Sequence, residues 1–354
     1  MGVSKTDFGV TRDGRKASLY TIINKNGMEA VISDFGAILV KLIVPNKDGE
    51  KADVVLGFDH LEQYEENPNF FGSTVGRRAN RIGGAAFQID GVTYHLTANE
   101  NENNLHSDFY HGFHKVLWNA DMKDGENAVV FSYNSPDGEN GFPGNLKISV
   151  TYTLKNDNSL QISYDGISDK KTIINMTNHS YFNLAGHDAG SICDEKMMID
   201  ADAFTELGQG SICTGKVIPV EGTPMDFRTA RRVGDHIDDA WPQLTLAGGY
   251  DHNWVIDHHD SQNLAECVEV YGDKTGIAMK ISSDYPGIQM YTGNYIGNVK
   301  GKHGHIYAPR DGVCFEPQYF PDAVNRPEFE SSVCKAGQKF DKKIKYVFFN
   351  EKYC

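Results

Sequence analysis

The chain has no Cys-x-x-Cys pair, and no run of apolar residues approaches the length of a membrane span. It also has no glycine-rich phosphate loop ending in Lys-Ser/Thr, and few signals for helix. Each absence excludes something: a paired-cysteine metal or redox motif, a helical membrane anchor, a P-loop nucleotide site and an all-α fold. The six cysteines (Cys193, Cys213, Cys267, Cys314, Cys334, Cys354) are scattered, which in 354 residues reads as reduced intracellular thiols. Positive charge is scarce too. With 34 Lys and Arg against 48 Asp and Glu, the net charge is −14, so nucleic acid and anionic membranes are repelled. No signal-peptide core opens the chain, and the expected location is the cytosol. A loose myristoylation template, Met1-Gly2-Val3-Ser4-Lys5-Thr6, has no polybasic cluster after it to supply a second membrane signal.

What is present is period two. Lys147-Ile148-Ser149-Val150-Thr151-Tyr152-Thr153-Leu154 alternates polar and apolar without an error. Turn formers follow at Asn156-Asp157-Asn158-Ser159, then a second alternation with Leu160, Ile162 and Tyr164 on one face. That is a β-hairpin in a half-buried sheet. A second hairpin joins Cys267–Tyr271 to Ile277–Ile281 across Gly272-Asp273-Lys274-Thr275-Gly276. Ala52–Phe58, Ala128–Tyr133 and Tyr346–Phe349 add short strands, while Asp59–Glu65 and Thr229–Ile237 read as two-turn helices. Many strands, 36 glycines for turns and little helix predict an all-β fold, a large antiparallel β-sandwich. With 40% hydrophobic and 23% charged residues and no linker or repeat, residues 1–354 read as one globular domain.

Chemistry concentrates in a few places. Thr177-Asn178-His179-Ser180-Tyr181-Phe182-Asn183-Leu184 puts one histidine among neutral polar groups that can fix a tautomer, on strand-like neighbours. Its sequons at Asn175 and Asn178 read as unused, because a glycan would sit beside the histidine. Cys314-Phe315-Glu316-Pro317-Gln318-Tyr319-Phe320 sets one carboxylate in an apolar stretch, where desolvation raises its pKa toward that of a general base. Around them lie Arg77-Arg78-Ala79-Asn80-Arg81, Asn104-Leu105-His106, Tyr250-Asp251-His252-Asn253 and Gly287-Ile288-Gln289-Met290-Tyr291. Neither His106, His111 and His114 nor Asp257-His258-His259-Asp260 has the spacing of a zinc site; both sets read as solvated loop residues.

In this order, from Phe35 to Phe348, these segments resemble the aldose 1-epimerase (galactose mutarotase) family. Further matching pieces are Gly112-Phe113 to Trp118, Gly222-Thr223-Pro224 and Asp226-Phe227-Arg228. The resemblance implies a distorted supersandwich that interconverts the α and β anomers of free hexoses such as galactose and glucose. It implies Glu316 as base and His179 as acid, with Asn80, Arg81, His106, Asp251 and Gln289 on the sugar hydroxyls. It calls for no metal and no cofactor, for a small-molecule free aldose as partner, and for a monomer or homodimer. Three rivals remain at this point: a hexose-6-phosphate mutarotase, a glycoside hydrolase and a non-catalytic sugar-binding protein. After His106, the family's pair of glycines is replaced by Ser107-Asp108, which is expected to reshape that loop and add a nearby negative charge.

Overall fold

The computed structural model describes residues 2–272 and 274–350, so Cys354 and Asp273 lie outside the described residues. Two antiparallel sheets carry the sandwich. The larger has nine strands, and at its centre run Leu146–Leu154, Ser159–Ser168, Lys339–Asn350 and Ile277–Ser283. The smaller has six, in the order Tyr181–Phe182, Val313–Gln318, Gly287–Tyr291, Asp251–Val255, Ala203–Leu207 and Cys213–Pro219. A further five-stranded sheet comes from residues 2–53.

The alternation is what joins these sheets. Ile162, Tyr164, Tyr346 and Phe348 leave the nine-stranded sheet on its inner face, fully or nearly fully buried. Phe182, Ile288, Met290 and Phe315 come to meet them from the six-stranded sheet. The Phe182 ring centre lies 5.1 Å from that of Tyr346, a direct contact between layers. Each such side chain contributes roughly 1.5–3 kcal/mol by leaving water. Because side chains on a strand alternate, burying Phe315 sends Cys314, Glu316 and Gln318 to the opposite face. In the same way, burying Ile288 and Met290 sends Gln289 and Tyr291 outward, and burying Trp254 sends out Asp251 and Asn253. The functional face is thus the back of the core face.

Helix among the described residues is confined to Leu61–Glu66, Pro242–Ala247 and single 3₁₀ turns. The helix expected at Thr229–Ile237 does not form. Arg231-Arg232 instead pairs as a strand with Lys196-Met197, and Val233–Asp235 makes one 3₁₀ turn. The reason is tertiary. Arg231 lays its guanidinium 4.0 Å over the Phe227 ring, and a Cβ at Gly234 would stand 2.9 Å from Cys193, so this segment is pressed flat against its neighbours. The strand read over Ala52–Phe58 is shorter, ending at Asp53. No helix among the described residues is long and apolar enough to cross a membrane. Asn175 and Asn178, the sequon residues, are fully buried.

Candidate active site

The outward face of the six-stranded sheet forms the floor of a cleft of about 370 Å³, within the usual size of small-molecule sites. Register sets its rows. Tyr181, Cys314, Tyr291 and Asp251 are successive cross-strand partners, and Glu316 and Gln289 are partners in the next row. His179 arrives from the wall. Its strand, Thr177–His179, pairs with Ser73–Val75, and its carbonyl accepts from the Gly72 N–H at 3.1 Å. Gly72 has φ of 67°, and a Cβ there would lie 2.1 Å from the Leu39 carbonyl, so only glycine lets the chain pass.

His179 and Glu316 meet: Nε2 lies 3.6 Å from Oε1, with both side chains buried. The other ring nitrogen, Nδ1, lies 3.4 Å from the Cys314 sulfur, so Nε2 is the nitrogen left for the cleft. Burial lowers the His179 pKa to about 4. Burial, reinforced by the charge of Asp251, pushes Glu316 well above the carboxylate range, and its Oε2 has no hydrogen-bond partner. Both shifts favour uncharged forms, so the resting pair carries one proton, on the carboxyl.

His106 stands at right angles to His179, ring centres 5.3 Å apart. Two left-handed residues, Asn80 (φ 61°) and His106 (φ 52°), clasp each other: the His106 N–H donates to the Asn80 carbonyl, and the Asn80 N–H donates to His106 Nδ1 at 3.2 Å. Burial holds His106 well below its ordinary pKa, hence neutral. With Nδ1 accepting, Nε2 carries the hydrogen and offers a donor to the cleft. His106, His179 and Glu316 do bring three possible metal-ligand atoms within 4.8 Å of one another. Yet a ligating histidine donates from its other nitrogen, and His106 accepts there. The His106 hydrogen-bond pattern therefore differs from that of a usual metal-ligating histidine.

Arg81 spans the mouth. Nε and Nη2 donate to the Glu100 carboxylate at 2.6 and 2.8 Å, while Nη1 lies 3.8 Å from Asp251 Oδ2. Gln289 is placed differently from its sequence reading. It stands behind Asp251, donating Nε2–H to Oδ1 at 2.7 Å, and receives a bond in turn from Gln318. Asn80 and Arg81 line the cleft with His106 and Asp251, whereas Gln289 steers Asp251 from outside it. The other arginines go elsewhere. Arg77 is buried on the carbonyls of Pro143 and Gly144, and Arg78 on that of Phe320. The bend at Asn80 breaks the alternation that would have put Arg77 beside Arg81.

Two readings change in the Ser107 region. The Ser107 hydroxyl accepts the Arg78 N–H and donates to its carbonyl, so it braces the loop. Asp108 turns away to accept the N–H groups of Tyr110 and His111 and does not line the cleft. His114, read as a solvated loop residue, is buried against Phe70 and bonded to the Phe109 carbonyl; His111 is the exposed one. The groups that the sequence did not single out are Glu100, whose carboxylate fixes Arg81, and Cys314 behind His179.

Comparison with known proteins covers nearly the whole chain. A family described as Aldose 1-epimerase matches residues 18–347. Galactose mutarotase of Rattus norvegicus is 38% identical over 342 residues, covering 96% of this chain and 97% of its own. Galactose mutarotase of Homo sapiens is 39% identical over 311 residues, 88% of each chain. The aldose 1-epimerase of Escherichia coli is 32% identical, covering 96% and 97%. Among solved structures, a GalM/aldose epimerase homologue from C. elegans superposes with a TM-score of 0.87 at 30% identity, covering 95% of this chain and all of that one.

Proposed function

The chain belongs to the aldose 1-epimerase family and interconverts the α and β anomers of aldoses; within that activity, we propose that His179 and Glu316 share the single proton that opens and recloses the ring. The reaction-ready pair is the ionised one. Glu316 takes the proton of the C1 hydroxyl while imidazolium His179 gives its Nε2 proton to the ring oxygen. The C1–O5 bond breaks and C1 becomes an aldehyde. The pair is now neutral, with its proton on the carboxyl, which is the form that burial favours. Rotation about C1–C2 turns the other face of the carbonyl to the C5 hydroxyl. On reclosure His179 takes that hydroxyl's proton and Glu316 returns one to O1, restoring the starting pair with the opposite anomer.

Nothing is consumed, because the same two groups reverse roles. The open-chain aldehyde is bound against the low-energy state of the pair, which lowers the cost of forming it. His106, through its Nε2–H, donates to a substrate oxygen, while Arg81 Nη1 and Asp251 hold sugar hydroxyls. Asn80 fixes the His106 tautomer, and Gln289 fixes Asp251. The observation that carries this reading is the 3.6 Å contact between His179 and Glu316 inside a cleft rich in hydroxyl partners.

The test is polarimetry. Freshly dissolved α-D-galactose and α-D-glucose should reach their equilibrium rotation faster with the protein than without it, and exhaustive EDTA treatment should leave that rate unchanged. Loss of activity on chelation, restored by zinc, would overturn the proton-pair mechanism.

A further inference from the structure

Arg81 is the single arginine or lysine lining the cleft among the described residues, and three carboxylates line the same walls: Glu100, Asp251 and Glu316. An arginine recognises phosphate or carboxylate best through two parallel N–H groups. Here the Nε and Nη2 pair is already spent on Glu100, at 2.6 and 2.8 Å. The remaining N–H groups are on the two terminal nitrogens, and Nη1 lies 3.8 Å from the Asp251 carboxylate.

Glu100 is held firmly enough to keep the fork occupied. Its N–H donates to the Asn103 carbonyl and its carbonyl accepts the Asn103 N–H, closing a tight loop. Next to it, Asn99 clamps Leu105 by side-chain bonds in both directions, tying the loop to the segment that carries His106. Against the lowering effect of burial, the bonds to Glu100 and the charge of Asp251 raise the Arg81 pKa, so the arginine stays a cation.

We propose that Glu100 determines substrate charge: by occupying the Arg81 fork it denies the cleft's cation to anionic aldoses, both hexose phosphates and uronic acids, and confines the enzyme to uncharged sugars. This rests on the cleft being the sugar site. With the fork closed, an anion meets a net negative wall. With Glu100 neutral, the same arginine becomes a two-pronged anion site.

The test compares the parent with Glu100→Gln, which keeps shape and one acceptor, and with Glu100→Ala, each first checked by its melting curve. kcat/KM is measured for glucose, glucose 6-phosphate and glucuronate at low salt. The parent should favour glucose strongly. In Glu100→Gln the ratio of anionic to neutral kcat/KM should rise about tenfold or more, the worth of one charge removed near a partly buried arginine. KM for glucose should rise as well, because Arg81 loses its fixed position. Added salt should shrink the gain. Direct titration with glucuronate gives a second readout, with affinity rising by a similar factor in the variant. An unchanged ratio and unchanged glucuronate affinity in both variants, or a parent that prefers the phosphate, would overturn the proposal. A parent that fails to speed glucose mutarotation while the variant gains glucuronate affinity would instead indict the catalytic reading and leave the role of Glu100 standing.

Discussion

Glu316→Gln and His179→Asn should each lower kcat by roughly 10²–10⁴, the usual worth of a positioned proton-transfer group. Glu316→Gln keeps the shape of the parent side chain and removes its ability to exchange a proton, while His179→Asn keeps a polar group near Nδ1 and removes Nε2, the nitrogen that faces Glu316. KM should change far less, because His106, Arg81 and Asp251 still hold the sugar. The two residues act on one shared proton, so their effects should not add: the double variant should be little slower than the poorer single. Stability at position 316 should change little while the group is protonated. The Glu316 carboxyl is buried, with Oε2 unpartnered, and burial and the charge of Asp251 favour its neutral form. Glu316→Gln therefore replaces one neutral group by another and should melt close to the parent temperature until pH rises through the Glu316 titration. Parent-like turnover in Glu316→Gln would move the base elsewhere, with Asp251 the next carboxylate in the cleft.

The roles given to Glu316 and His179 come from the family resemblance, and what the residues themselves encode is the face on which Glu316 stands. Val313–Gln318 alternates, so once Phe315 is given to the core, Cys314, Glu316 and Gln318 must share the other face. The same logic applies to Asp251 beside His252 and to Tyr291 beside Met290. The antiparallel sandwich followed from the same period-two pattern. What could not be read was which polar residue on a face touches the ligand and which supports another. Gln289 and Asp251 face the same way, but only register and the bond from Gln318 show that Gln289 stands behind. Glu100 lies in a loop of asparagines and glutamates, where nothing in residue type separates it from Glu102; the Glu100–Asn103 closure makes the choice. The helix Pro242–Ala247 did carry a signal, with proline at its first turn and left-handed Gly248 capping its end. The helix expected at Thr229–Ile237 lost to tertiary contacts of Arg231 and Gly234 that no local pattern encodes.

The pH profile of kcat/KM should be bell-shaped, with its acid limb set by His179 and its alkaline limb by Glu316. Turnover needs one proton on the pair. Below the His179 pKa of about 4 a second proton enters, Glu316 can no longer act as base, and the rate should fall about tenfold per unit. At high pH the single proton is lost and no acid remains for the ring oxygen. That limb begins well above the carboxylate range, because burial and the charge of Asp251 hold the Glu316 proton. Stability should follow with signs that can be worked out. Glu316 has a raised folded pKa, so the fold favours its protonated form; that contribution is present below the unfolded value of about 4.3 and lost as pH rises through the folded one. His179 has a lowered folded pKa, so its contribution is present above about 6.5 and lost as pH falls toward 4. Glu316→Gln should therefore gain on the parent in melting temperature as pH rises through the Glu316 titration, and should lose the alkaline limb from its residual activity. An alkaline limb whose midpoint lies near the ordinary carboxylate value of about 4.3 would place Glu316 in a wet, unperturbed site and refute the desolvated pair.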